Sequence, residues 1–255
     1  MTGLGALLDK ELRESWRTYR LAVVGILFGF LGLSSPLVTR YLPEIVAAFA
    51  PPGVEISFPP PTVGDVLDQL LKNVLQFGVL AGVLLAMGSV ANEKERGTAA
   101  LILVKPVSRA AFLAAKLLAI GIVLAVGVGF AVAAALVYTV ILFEVPDIGG
   151  WILMAGAIWL SIAAYASITF LGSVVTRSAL GAAGIGFGGL IVLALASAVP
   201  AFARWLPSGL TPVAKAIGLG DAGAAPDAAL TTFATVAIIA VTVVGSWVAF
   251  RRQEL

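Results

Sequence analysis

The sequence contains no cysteine and no histidine. Disulfide staples, thiolate nucleophiles, Cys/His metal sites and any triad built on a histidine base are thereby excluded. The missing cysteine carries no message about redox compartment, because a bundle of membrane helices needs no staples. Charge is scarce as well. Asp, Glu, Lys and Arg make up 12% of the residues, against about 25% in a soluble domain. The formal net charge of +2 is too small to point to a nucleic-acid partner. No GxxxxGK[ST] run occurs, so the chain has no phosphate-cradling loop of that kind, and any work driven by ATP would need a partner to hydrolyse it.

What is present is apolar: 60% of the residues are hydrophobic and the mean hydropathy is +1.05. The charges gather in short stretches between apolar runs of roughly 18 to 25 residues, the length a helix needs to cross a ~30 Å hydrocarbon layer. The expected fold is all-α, a single transmembrane domain over residues 1–255, with spans at about 21–37, 66–91, 117–143, 151–175, 179–199 and 230–250. Residues 1–20 do not read as a cleaved signal peptide, so the first span is expected to stay in the mature protein. They read instead as an amphipathic interfacial helix. Leu4, Leu8, Leu12, Trp16 and Tyr19 form its apolar stripe, opposite Asp9, Lys10, Arg13, Glu14, Arg17 and Arg20.

Local signals mark several element ends. Thr62 and Asp65 have the spacing of a capping box, which starts a helix at Val63. Five prolines between positions 51 and 61 argue against regular helix over residues 40–61. A second long connection covers residues 200–229. The GxxxG pairs Gly25/Gly29, Gly78/Gly82 and Gly184/Gly188 are expected at close helix crossings. Gly184, Gly186 and Gly189 also spell GxGxxG, but in mid-span, with no strand before them, so that match is read as helix packing. The six apolar cores are read as free of Asp, Glu, Lys and Arg, which argues against a proton relay or a charge-lined ion pore. Ser161, Tyr165, Ser167, Thr169, Ser173, Thr235, Thr242 and Ser246 are expected to hydrogen-bond between helices.

With the N-terminus placed in the cytoplasm, twelve of the 16 basic residues fall inside. Arg40, Lys72, Arg204 and Lys215 fall outside. The positive-inside rule then puts both termini in the cytoplasm of a multi-pass cytoplasmic-membrane protein. The sizeable inner loop is residues 92–116, NEKERGTAALILVKPVSRAAFLAAK. Thr98 can cap a short helix over Ala99–Val104, Pro106 breaks it, and Ser108 can cap a new helix leading into the third span. Leu101, Ile102, Leu103 and Val104 would then lie outside the bilayer. They form either a docking surface or a helix resting on the membrane.

The run Glu93-Lys94-Glu95-Arg96-Gly97-Thr98, then Lys105-Pro106-Val107-Ser108-Arg109, Phe112-Leu113 and Lys116, resembles the loop between spans 2 and 3 of ABC type-2 permeases. The branch it resembles includes sodium-efflux and copper-processing permeases. Lys10-Glu11-Leu12-Arg13 before the first span resembles that family too. The resemblance implies a membrane-spanning exporter subunit that is not itself an enzyme. It would pair with a second permease subunit and draw on a separate ATP-binding cassette ATPase. Glu95, Gly97, Thr98, Leu101, Val104, Ser108 and Arg109 are the expected coupling-helix contact with that ATPase. No catalytic, cofactor or metal-ligating set is expected. The long first outer connection leaves room for an extracytoplasmic partner, and membrane lipid is a partner by construction. The rival reading is a non-transport anchoring or assembly subunit.

Overall fold

The computed structural model describes residues 3–49, 59–98, 107–225 and 227–253. Among these the chain is helical, and six segments are long and apolar enough to cross a membrane. Helix α1 is Gly3–Arg17, α2 Arg20–Phe49, α3 Val63–Met87 and the short α4 Ala91–Glu95. Helix α5 is Arg109–Leu142, α6 Ile148–Val175, α7 Ala179–Ser197, α8 Pro200–Ala203, α9 Leu210–Gly218 and α10 Ala228–Arg251. The expected start of α3 is in place, with the Thr62–Asp65 capping box closed in both directions. Ser108, Asp147 and Ser178 cap α5, α6 and α7 through their side chains.

One boundary is a correction. Residues 40–49 were expected outside regular helix, yet α2 runs on to Phe49 with Pro36 and Pro43 inside it. Each proline removes one rung of the hydrogen-bond ladder. Beside Pro36, the Ser34 and Ser35 hydroxyls both donate to the Leu31 carbonyl. Beyond it, Arg40 and Glu44 pair one turn apart, 3.8 Å. The prolines at 51 and 52 lie outside the described residues, so only 59–61 of the cluster can be compared: that stretch is non-helical.

The core is built where small residues let backbones meet. Water gives no drive for helix association inside a bilayer, so close van der Waals contact must. A methyl group on Gly32 of α2 would strike the Ala131 backbone of α5, and one on Gly78 of α3 would strike Ile162 of α6. Around these crossings Phe28, Leu67, Leu70, Leu124, Met154, Ile158 and Phe170 are fully buried. Of the expected glycine pairs, Gly78/Gly82 behaves as read. Gly184 and Gly188 face open space, and it is Gly186 between them that packs against Thr169.

The polar interior also differs from expectation. Ser161 and Ser173 bond across segments, and the Thr242 hydroxyl donates to Ser167, 2.8 Å, between α10 and α6. Thr169, Thr235 and Ser246 instead turn back to the carbonyl four residues earlier on their own helices.

α1, the α4 region, the start of α5, the junction of α6 with α7 and the C-terminal tail gather on one face, called here the terminal face. On the opposite face the connection 198–227 folds back into the bundle. Ser161 donates to the Pro207 carbonyl, 3.1 Å. Ser161 lies 13 residues along α6, so the Pro207 turn sits about 20 Å from the end of that helix on this opposite face. Helix α9 then climbs back until Ile217 abuts Gly150.

Candidate functional site

The terminal face is organised by a break in the second span. After Met87 the chain turns through Gly88–Val90 and restarts as α4. The Ser173 hydroxyl of α6 accepts from both Val90 N and Ala91 N, 3.0 Å each, capping the restart from a neighbouring helix. Helix α4 is thereby aimed so that successive residues reach different partners. Glu93 points toward α1 and α5, while Lys94 points toward α6 and the C-terminal tail.

Lys116, in the third turn of α5, is only 3% exposed. Its ammonium lies 3.0 Å from Glu11 of α1 and 2.7 Å from Glu93 of α4. Lys10 completes the cluster, 3.0 Å from Glu11, 3.2 Å from Glu93 and 3.4 Å from Glu14. A buried ion survives only when its partners replace water, and here two cations and three carboxylates answer one another. Burial works to raise the pKa of Glu11, but the Lys116 charge and the hydrogen bonds from Lys10 and Lys116 outweigh it and hold the carboxyl below its ordinary value. Burial likewise opposes the charge on Lys10, and Glu11, Glu93 and Glu14 together push its pKa up. Beside the cluster lies a cleft of about 390 Å³, walled also by Arg20, Asn92, Arg96 and Thr98. Glu93 Oε2 is buried there with no hydrogen-bond partner among the described residues.

The bundle-facing side of α1 is not the expected apolar stripe. Trp16 and Tyr19 are 70% and 72% exposed. The side of α1 turned to the bundle holds Leu7, Glu11 and Ser15, one residue round from the Leu4–Leu8–Leu12–Trp16 line. That leaves the apolar line free to rest on a membrane.

The other cations tie down helix ends. Lys94 donates to the Val174 carbonyl, 2.6 Å, and to Gln253 Oε1, 3.1 Å. Arg109 donates to the carbonyls of Phe250, Arg251 and Gln253 at 3.0–3.2 Å. Cations at these last carbonyls oppose the negative ends of α6 and α10. Phe112 stacks on Phe250, centroids 5.6 Å apart, under the same contact.

Of the expected coupling residues, Glu95 and Gly97 are exposed around the end of α4. Gly97 adopts φ +69°, a left-handed helix end that a side chain would strain. The Thr98 hydroxyl donates to the Glu93 carbonyl, 3.2 Å. Ser108 caps α5, and Arg109 is engaged with the tail rather than free at a rim. Leu101 and Val104, with the helix expected over Ala99–Val104, lie outside the described residues. Sequence reasoning missed the roles of Glu11, Glu93 and Lys116. The sole signal was their presence in the two stretches that carried the family resemblance.

Comparison with known proteins identifies the family. The chain is 33% identical over 258 residues to an uncharacterized transmembrane protein, YxlG, of Bacillus subtilis (strain 168), covering 98% of this chain and 97% of that one. Residues 6–204 match the family described as ABC-2 family transporter protein. The segment so matched carries α1 through α7, including the buried Glu11–Lys116–Glu93 contact, and the chain belongs to the ABC-2 transporter family.

Proposed function

We propose that this chain is the permease subunit of an ATP-driven exporter in the cytoplasmic membrane, with the terminal face and both termini in the cytoplasm. The family match over residues 6–204 is the observation that carries the reading. A separate ATP-binding cassette ATPase docks on the segment between Thr98 and Ser108, and a second copy of the permease completes the path. Hydrolysis belongs to the ATPase, and this chain is not an enzyme. The likeness of residues 93–116 to sodium-efflux and copper-processing permeases supports export as the direction. Lys116 links that docking segment to α1 through Glu93 and Glu11, so a push on one is passed to the other. The long first outer connection is where an extracytoplasmic partner would sit.

The test is Leu101→Glu. Burying a leucine in a partner groove is worth ~1.5–3 kcal/mol, and an unpaired charge placed there costs more. The variant is expected to insert normally but to lose co-purification of the ATPase, or to lose substrate-stimulated hydrolysis in liposomes. Full assembly with full stimulation would show that this segment is not the docking contact and would remove the local support for the coupling assignment.

A further inference from the structure

Most membrane-length helices turn outward only apolar or small side chains along their middle stretches. On α5 these are Leu118, Ile122, Phe130 and Val137. On α7 they are Ile185, Ile191, Val192 and Leu195, and on α10 Val236, Val241 and Val244. Helix α3 departs from this. The exposed residues Lys72 and Gln76, with half-buried Gln69 and Asn73, share one face at helical spacing. The expected second span was read as free of charge, but it contains Asp68 and Lys72.

The depth of this stripe follows from its contacts. Asn73 Nδ2 lies 3.5 Å from Ser35 Oγ, and Ser35 is 15 residues into α2, about 22 Å above its start at the terminal face. Gln76 is one turn deeper. A second register agrees: Gly78 packs on Ile162, which is 13 residues, or about 20 Å, from the terminal-face end of α6. Gln76 thus lies near the middle of the bilayer and Lys72 in its outer half. Gln69 donates to Asn73, 3.3 Å, and Asn73 leans on Ser35. Lys72 forms no ion pair among the described residues, since Asp68 on the same helix is taken by Lys215 at 2.6 Å. Toward the terminal face the same side of α3 turns apolar, with Leu80 and Leu84 exposed.

Amides and an ammonium at that depth cannot face hydrocarbon without large cost. We infer that the α3 face carrying Gln69, Lys72, Asn73 and Gln76 lines a water-filled path open to the outer side, closed inward by Leu80 and Leu84, and that it takes a hydrogen-bonding, anionic solute. The amides supply hydrogen bonds for polar groups of the solute, and Lys72 supplies the charge that selects its sign. This deepens the permease reading and rests on it for the solute's movement, though not for the presence of water.

Because the chain has no native cysteine, single cysteines test the wall directly in intact membranes. Gln76→Cys is exposed to sulfonatoethyl and trimethylammonioethyl methanethiosulfonate, each rate normalised to that with a free thiol. Phe130→Cys and Val236→Cys, at similar depth on α5 and α10, are the comparison. Gln76→Cys should react while the other two do not. The anionic reagent should be preferred by about tenfold, and adding Lys72→Gln should abolish that preference. A Gln76→Cys as inert as Phe130→Cys overturns the path. A cysteine that reacts with no preference for the anion overturns the solute class. Neither readout involves an ATPase, so failure here is separable from failure of the Leu101→Glu test.

Discussion

The two faces of this bundle are held together by different means. On the terminal face, long charged side chains reach between elements: Lys116 joins α1, α4 and α5, Lys94 holds α6, and Arg109 holds the end of α10. On the opposite face the contacts are to backbone, with the Ile217 carbonyl against Gly150 and the Pro207 carbonyl bonded by the short Ser161 side chain. The one ion pair there joining separate elements, among the described residues, is Lys215 with Asp68, and it is solvent-facing. Side-chain ties can be broken and remade as elements shift by a few ångström, whereas backbone contact tolerates little movement. The terminal face is thus suited to transmit motion and the opposite face to resist it.

This contrast can be broken at three points of decreasing effect. Lys116→Ala leaves Glu11 and Glu93 close together with only the part-exposed Lys10 between them, and removing one partner of a buried pair costs about 3–5 kcal/mol. The expected result is release of α1, read as new thiol labelling at Ser15→Cys, which is 8% exposed in the docked state. Acid should release α1 in the unsubstituted cluster too. Glu11 has a depressed pKa, so its contribution is complete above its ordinary value of 4.5 and is lost as pH falls through the lower folded value. Labelling of Ser15→Cys, with each rate normalised to that of a free thiol at the same pH because acid depletes the reactive thiolate, should therefore stay low at pH 5 and rise below pH 4.5.

Gly150→Ala puts a methyl group into the Ile217 carbonyl. Overpacking of this kind costs about 1–3 kcal/mol, expected as a lowered melting temperature in detergent and easier proteolysis around Gly220, with the α1 contact unchanged. Lys215→Ala removes only the exposed pair with Asp68, worth ~0–1 kcal/mol. Its melting curve should nearly overlay that of the parent. A large loss there would show that the outer face depends on charge as well, and the contrast would fail.

How much of this could be read beforehand depended on range along the chain. The Thr62–Asp65 box and the Ser108 cap were legible because each is settled within four residues. Gly97 was legible as a position of interest, though its positive φ follows from where α4 ends. The Lys116 cluster was not legible, because its carboxylates come from 105 and 23 positions away. Nor could spacing show that Arg109 would turn back 142 positions to the tail. The run of α2 past Pro43 was missed because proline was read as forbidding helix, whereas each removes only one rung and Arg40 pairs with Glu44 across the site. The polar spacing on α3 was in plain view, but it matters only once depth is known.

The inward dip at Pro207 has a consequence for the order in which the protein is made. Its backbone is released from the ribosome before α10, yet the Arg204 carbonyl is satisfied by the Thr231 hydroxyl of that last helix, 2.9 Å away. A carbonyl without a donor is not stable among lipid tails. Residues 200–218 are therefore fully satisfied only once α10 is in place, so the final helix to be translated locks this half of the bundle.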